Sequence, residues 1–105
     1  ARRLWIAFAA QAEGVVTIDS GAVGAIETRG TSLLSPGVTA VEGTFEAGAV
    51  VDIIDQAGQV VARGACSMSS NELSAIRGRR TADLPDGASS LVVHRDEMVV
   101  LSAMR

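Results

Sequence analysis

The chain has 105 residues, a net charge of −3 and 48% hydrophobic residues, which suits one soluble globular domain with a modest core. Its single cysteine, Cys66, excludes an internal disulfide and a cysteine-based metal site, and no apolar run approaches the ~20 residues of a membrane span. Residues 14–62 carry six acids and one arginine, which excludes a broad basic footprint but leaves room for a local one at Arg77, Arg79 and Arg80.

The first 13 residues are predicted to form an N-terminal arm, either a short helix or a linker. The pair Arg2-Arg3, the apolar run after it and Ala10-Gln11-Ala12 also resemble a signal peptide with its cleavage site. The apolar run has only the minimum length for a signal peptide, so we favour the linker. Contiguous large apolar residues need a cover, which either this domain or a partner can provide. The residues concerned are Leu4, Trp5, Ile6 and Phe8.

A strand–helix–strand unit is predicted next. The segment Val15–Ile18 is short and entirely β-branched, as is typical of a strand. Asp19 or Ser20 can cap the following helix, and Gly30 can end it because glycine adopts the left-handed conformation without steric cost. The helix carries an apolar stripe at helical spacing. Its members are Ala22, Val23, Ala25 and Ile26. The dipeptide Pro36-Gly37 then turns the chain into a second strand, Val38–Glu42.

The next part of the chain predicts a hairpin and a second helix. Strands at Val50–Ile54 and Val60–Met68 are joined by a turn at Asp55–Gly58. Ser69 and Glu72 have the spacing of a capping box, which predicts a helix that ends at Gly78.

The C-terminal part predicts a loop and a last pair of strands. The loop covers Leu84–Gly87, and the strands Leu91–His94 and Met98–Leu101 form a hairpin about Arg95-Asp96-Glu97. Several short strands with two small helices predict an α+β domain, mainly β, whose sheet curls toward a barrel. The pattern alone does not choose among small barrels.

A series of short segments, in order between residues 5 and 101, resembles the C-terminal PUA domain of bacterial glutamate 5-kinase (γ-glutamyl kinase). The segments are Ile18–Ala22, Gly30–Leu34, Gly37-Val38, Val41–Phe45, Gly48–Ile53, Ala62–Gly64, Ser69–Leu73 and Val93–Asp96. The chain departs from the family at Ala49, usually an acid, and at Met68, usually Tyr. The resemblance implies a PUA-like pseudo-barrel at residues 14–105, preceded at residues 1–13 by a linker from a kinase domain.

The resemblance also implies what the parent protein does. A glutamate 5-kinase transfers the γ-phosphate of ATP to the side-chain carboxylate of L-glutamate, the first step of proline biosynthesis, in the cytoplasm. Its ATP, magnesium and glutamate sites belong to the kinase domain, so no catalytic, cofactor or metal residue is expected in this chain. The expected partners are the chain's own kinase domain and other subunits of a homo-oligomer, with no membrane.

The residues themselves support no catalytic site. His94-Arg95-Asp96 matches the start of a protein-kinase catalytic loop, but Leu101 stands where that loop needs a magnesium-binding Asn. We therefore predict a turn in which Asp96 bonds local backbone N–H groups. No Gly-x-Ser-x-Gly elbow surrounds a serine, and the chain has no lysine for a phosphate-binding loop. Cys66 is predicted inside a strand, as a buried small hydrophobe.

One surface of the predicted domain could bind RNA. In RNA-binding PUA domains, the first helix with its following loop and the last strand hold RNA, and the resemblance places this surface here. The candidate RNA or partner residues are Arg29, Gly30, Thr31, Arg79, Arg80 and Arg95. Glycine lets a phosphate approach the backbone and arginine neutralises it. The alternative, which we favour, is that Arg29 complements the C-terminal dipole of the first helix. Arg77, Arg79 and Arg80 likewise sit at a helix end, where cations are expected. No exposed aromatic is expected beside them to stack on bases.

Overall fold

The computed structural model describes residues 5–9, 11–84 and 89–102. Within these residues the chain forms seven strands and two α-helices. The strands are β1 Gly14–Ile18, β2 Leu33–Leu34, β3 Val38–Glu42, β4 Val50–Ile54, β5 Val60–Ala65, β6 Leu91–Val93 and β7 Met98–Val100. The helices are α1 Ser20–Arg29 and α2 Ser70–Ile76. The α+β, mainly β prediction is confirmed, whereas most of the predicted loop Leu84–Gly87 lies outside the described residues.

Two sheets build the domain. Five strands form a sheet in the order β3-β1-β4-β5-β7, in which β1 and β4 run parallel and every other neighbouring pair is antiparallel. A second sheet pairs β2 with β6. The predicted strand–helix–strand unit is confirmed: β1, α1 and β3 are its three elements, and β1 pairs with β3. The short strand β2 lies between α1 and β3.

The predicted C-terminal hairpin is wrong. Both strands exist, but β6 pairs with β2, while β7 pairs with β5 in the larger sheet. The chain changes sheets through one turn of 3₁₀-helix, Arg95–Glu97, instead of a β-turn. In this turn the Asp96 N–H donates to Nδ1 of His94 at 3.0 Å, an interaction that was not predicted. The His94 ring therefore caps this turn.

The predicted strand Val60–Met68 ends earlier, at Ala65. The Cys66 N–H still bonds the Ala49 carbonyl beside β4, but the Ser67 N–H turns to the Val92 carbonyl of β6. The chain leaves one sheet for the other at this point, which ends the strand. Cys66 therefore follows the strand instead of lying within it, and it is fully buried.

Both predicted helix caps are confirmed. The Asp19 carboxylate accepts the Ala22 N–H at 2.8 Å at the start of α1, and Gly30 closes the helix in the left-handed conformation with φ 63°. At α2, the Ser69 hydroxyl accepts the Glu72 N–H at 3.2 Å, and the Glu72 carboxylate accepts the Ser69 N–H at 3.3 Å. These local bonds satisfy backbone donors that a helix start leaves free.

The larger sheet has an inner and an outer face. Since successive residues of a strand point to opposite faces, Val51 and Met98 contribute to the main core, whereas their neighbours Val50 and Val99 point outward. Ile6 covers Val50 and Val99 and is fully buried there. The N-terminal arm thus packs on the outer face of the sheet.

Candidate functional surfaces

The loop after α1 brings the first three candidate residues to the last turn of the chain. Arg29 is the last residue of α1, and Gly30 and Thr31 follow it. The next residue, Ser32, accepts the N–H of Arg95 on its hydroxyl oxygen at 2.9 Å. The structure therefore places Arg95 directly beside this loop, although the two segments are 63 residues apart in sequence.

Arg79 lies at the other end of the short segment that contains β2. The Ser35 hydroxyl donates to the Arg79 carbonyl at 3.1 Å, and the Gly78 N–H donates to the Ser35 carbonyl at 2.8 Å. Arg80 follows Arg79 in the chain. The candidate arginines therefore flank the segment from Ser32 to Ser35 on both sides. Sequence reasoning missed this segment because a two-residue strand has no periodicity.

A groove runs between α1 and the segment that follows it, with a volume of about 440 Å³. Its apolar lining includes Ile26, Leu33 and Leu34, of which Leu34 is 45% exposed. Arg29 and Thr31 line it where α1 ends, and Asp19 lines it where α1 begins. A polymer with both flat apolar and anionic parts could lie in such a groove, with its anion at the arginine end.

The charge around the groove is mixed. The side chains of Arg29, Arg79, Arg80 and Arg95 are exposed. Within the described part of the chain, no acidic side chain pairs with any of these four guanidinium groups. Acids are nonetheless close in sequence, and the exposed carboxylate of Glu27 accepts a hydrogen bond from the Ser102 hydroxyl. The position of Arg29 at the end of α1 also suits the helix dipole.

The N-terminal arm forms a second surface. Trp5–Ala9 makes one turn of π-helix, a rare geometry. Ile6 is fully buried, whereas the side chains of Trp5 and Phe8 are 51% and 70% exposed. Leu4 lies outside the described residues. The domain itself therefore covers Ile6, as one of the two predicted alternatives has it, and leaves Trp5 and Phe8 exposed.

The exposure of these aromatics has a bearing on the nucleic-acid interpretation. Trp5 and Phe8 are available for contacts, but neither lines the groove beside α1. The groove itself is lined by aliphatic, small and polar residues. The lining of the groove, which includes Arg29, thus contains no aromatic residue.

The described residues contain neither an activated cysteine nor a cluster of metal ligands. Burial raises the pKa of the Cys66 thiol, the opposite of what an activated nucleophile needs. Among the described residues, no three His, Cys, Asp or Glu side chains gather as metal ligands would. Nor does any described helix have the length and apolar character required to cross a membrane.

Comparisons with known proteins agree with this architecture. The PUA domain family model matches residues 14–87. Glutamate 5-kinases from a Synechococcus species and from Nocardia farcinica are 45% and 43% identical to the chain over 97% and 94% of its length. The chain spans only 29% and 27% of those two proteins.

Solved structures share the fold. A PUA domain from Aeropyrum pernix K1, solved as a tartrate complex, is 32% identical over 79% of this chain and 43% of its own, with a TM-score of 0.62. A chain in the structure of the archaeal box H/ACA sRNP Nop10–Cbf5 complex is 25% identical over 77% of this chain and 23% of its own length, with a TM-score of 0.57. The chain belongs to the PUA domain family and corresponds to the C-terminal PUA region of glutamate 5-kinases, without their catalytic kinase domain.

Proposed function

We propose that this domain is a non-catalytic accessory module of a glutamate 5-kinase and that it tunes the kinase through interdomain packing. The parent protein would use ATP and magnesium, bound in its kinase domain, to convert L-glutamate into L-glutamyl 5-phosphate in the cytoplasm. The PUA domain would act on the orientation or the oligomeric contacts of that kinase domain. The similarity to glutamate 5-kinases along nearly the whole chain supports this assignment.

The exposed arm is the observation that carries the proposal. Trp5 and Phe8 lie within one helical turn and are both at least half exposed, while Ile6 between them is buried on the sheet. Large aromatic side chains that stay exposed on an otherwise anchored segment are typical of contact sites for a partner. In the relatives the PUA region is C-terminal, so on this proposal the arm would lead toward the kinase domain.

The double variant Trp5→Ala/Phe8→Ala tests the proposal in the full-length kinase. We expect it to weaken the interdomain contact by about 2 kcal/mol or more, because aromatic anchors contribute most of the binding energy of an interface. The readouts are the kcat/KM for glutamate and the subunit number. Leu34→Ala is the matched control, since Leu34 is also a large exposed apolar residue but lies in the groove. Unchanged kinetics and subunit number in the double variant would contradict the proposal.

RNA binding is the second candidate, and one arrangement favours it. Arg29 lines the groove beside α1, is exposed and has no acidic partner in the described residues, and the backbone of Arg95 is bonded to Ser32 in the loop after Arg29. A related fold occurs in an archaeal ribonucleoprotein complex. The net charge of −3 argues against a general nucleic-acid function, so any RNA would have to be read locally at this groove.

A salt titration separates the two functions. If RNA binds here, its affinity should fall steeply between about 50 and 200 mM salt, because bound arginines release counterions from the phosphates. Arg29→Ala and Arg95→Ala should each weaken binding. Arg77→Ala has the same charge change, but its guanidinium already donates to the Thr39 carbonyl at 2.7 Å and serves as the control. If all three variants weaken RNA binding equally, or if no RNA binds at low salt, the proposal of RNA binding at this groove is wrong.

A further inference from the structure

A nearly buried arginine holds the arm on the sheet. The Arg63 side chain is only 14% exposed. Its Nε donates to the Asp52 carboxylate at 2.9 Å, and its Nη1 donates to the Ile6 carbonyl at 3.0 Å. One guanidinium group therefore joins the middle of the larger sheet to the backbone of the arm.

The register of the sheet explains why Arg63 reaches both groups. Arg63 on β5 stands directly opposite Asp52 on β4 and opposite Val99 on β7. All three side chains point to the outer face, where Val99 and Val50 form the apolar seat of Ile6. Ile6 is thus held twice, by its buried side chain and by its backbone carbonyl.

From these contacts we propose that Arg63 is a positioning residue that locks the arm to the PUA domain and presents Trp5 and Phe8 as a preformed docking surface. The Asp52 carboxylate orients the guanidinium group, which leaves Nη1 aimed at the Ile6 carbonyl. A planar guanidinium group can hold two acceptors at once in fixed geometry, which a lysine ammonium group does less well. The arm and the sheet then move as one body.

The proposal rests on the proposed function for its consequence. If the arm docks on a kinase domain, the Arg63 contacts set the angle at which the PUA domain meets that kinase domain. Pre-organising a contact surface lowers the entropic cost of binding, so a loosened arm should dock more weakly. The contacts that lock the arm all lie within this chain, so the lock can be measured without a kinase domain.

Amide hydrogen exchange on the 105-residue protein tests the lock. We expect Arg63→Met to speed exchange at residues 5–9 by at least about tenfold relative to β1 and β4, because the arm can then open without unfolding the sheet. Trp5 is the only tryptophan of the chain, so a soluble quencher should quench the tryptophan fluorescence of the same variant more strongly than that of the wild type. Arg80→Met is the control, since it removes an equal charge at an exposed site.

A second variant protects the test against misfolding. Ile6→Ala removes the apolar anchor from the arm and leaves the Arg63–Asp52 pair intact, and we expect the same local increase in exchange. If Arg63→Met leaves residues 5–9 as protected as before, or speeds exchange equally throughout the domain, the lock does not exist. If the arm is freed but the full-length kinase responds as the wild type does, the proposed function fails and the lock stands.

Discussion

Replacing Gly64 by alanine should lower the free energy of unfolding by about 3 kcal/mol, because the added methyl group has no space. A Cβ at Gly64 would lie 2.5 Å from Cγ1 of Val93, 2.9 Å from the Glu97 carbonyl oxygen and 3.3 Å from Cβ of Met98. These atoms belong to β6, the 3₁₀ turn and β7. Since one of them is a backbone oxygen, a side-chain rotation alone cannot relieve the contact.

The same substitution at Gly24 provides the control. Gly24 lies inside α1, and a Cβ there would meet nothing within 4 Å. Alanine should therefore stabilise the domain by about 0.5–1 kcal/mol through its higher helix propensity. Urea unfolding of both variants measures the difference. A Gly64→Ala domain as stable as the wild type would show that β5 does not meet β6 and the turn this closely.

The domain should lose stability steeply in alkali through one side chain. Burial raises the pKa of the Cys66 thiol in the folded state. An unfolded chain releases this proton above about pH 8.5, whereas the folded domain retains it, so the unfolded state binds fewer protons. Below about pH 8.5 the Cys66 thiol therefore has no effect on the free energy of unfolding. Above about pH 8.5 the free energy of unfolding should decline, at a slope approaching about 1.4 kcal/mol per pH unit.

The composition makes this measurement clean. The chain has no tyrosine, and all nine of its basic residues are arginine. Cysteine is therefore the only side-chain type in this composition that ordinarily titrates between about pH 8 and 11. Cys66→Ala should abolish the alkaline slope, whatever its effect on stability at neutral pH. A slope that persists in this variant would mean that another process destabilises the domain in alkali.

Local sequence signals predicted much of the fold. The Asp19 cap, the Gly30 terminus and the Ser69–Glu72 capping box are each set by neighbours in the chain, and each was confirmed. Short-range hydrogen bonds of this kind do not depend on the rest of the fold. The same applies to the turn at Asp55–Gly58, where the Asp55 carboxylate accepts the N–H groups of Ala57 and Gln59.

The pairing of strands that are distant in the chain was not predicted from the sequence. Two strands separated by three residues favour a hairpin, yet β6 pairs with β2 and β7 pairs with β5. At Gly64, the absence of a side chain leaves room for Val93 and the 3₁₀ turn beside β5. The strand β2 was missed because two residues give no alternation. Both features depend on contacts with residues far away in the chain.

The candidate surfaces show the same division. The composition of the arm predicted an apolar contact site, but it did not show that Ile6 turns inward while Trp5 and Phe8 face solvent. The resemblance placed Arg29 and Arg95 on one surface, and the Ser32 hydrogen bond brings their segments together. The Arg63 contact with the Ile6 carbonyl spans 57 positions and has no sequence signal.

The most direct test of the proposed packing compares amide exchange at residues 5–9 in the isolated domain and in the full-length kinase. If the arm docks on the kinase domain, these amides should exchange at least about tenfold more slowly in the full-length protein. Amides of β4 serve as the internal reference. Equal exchange rates at residues 5–9 in the two proteins would mean that the kinase domain does not cover the arm, and would contradict the account.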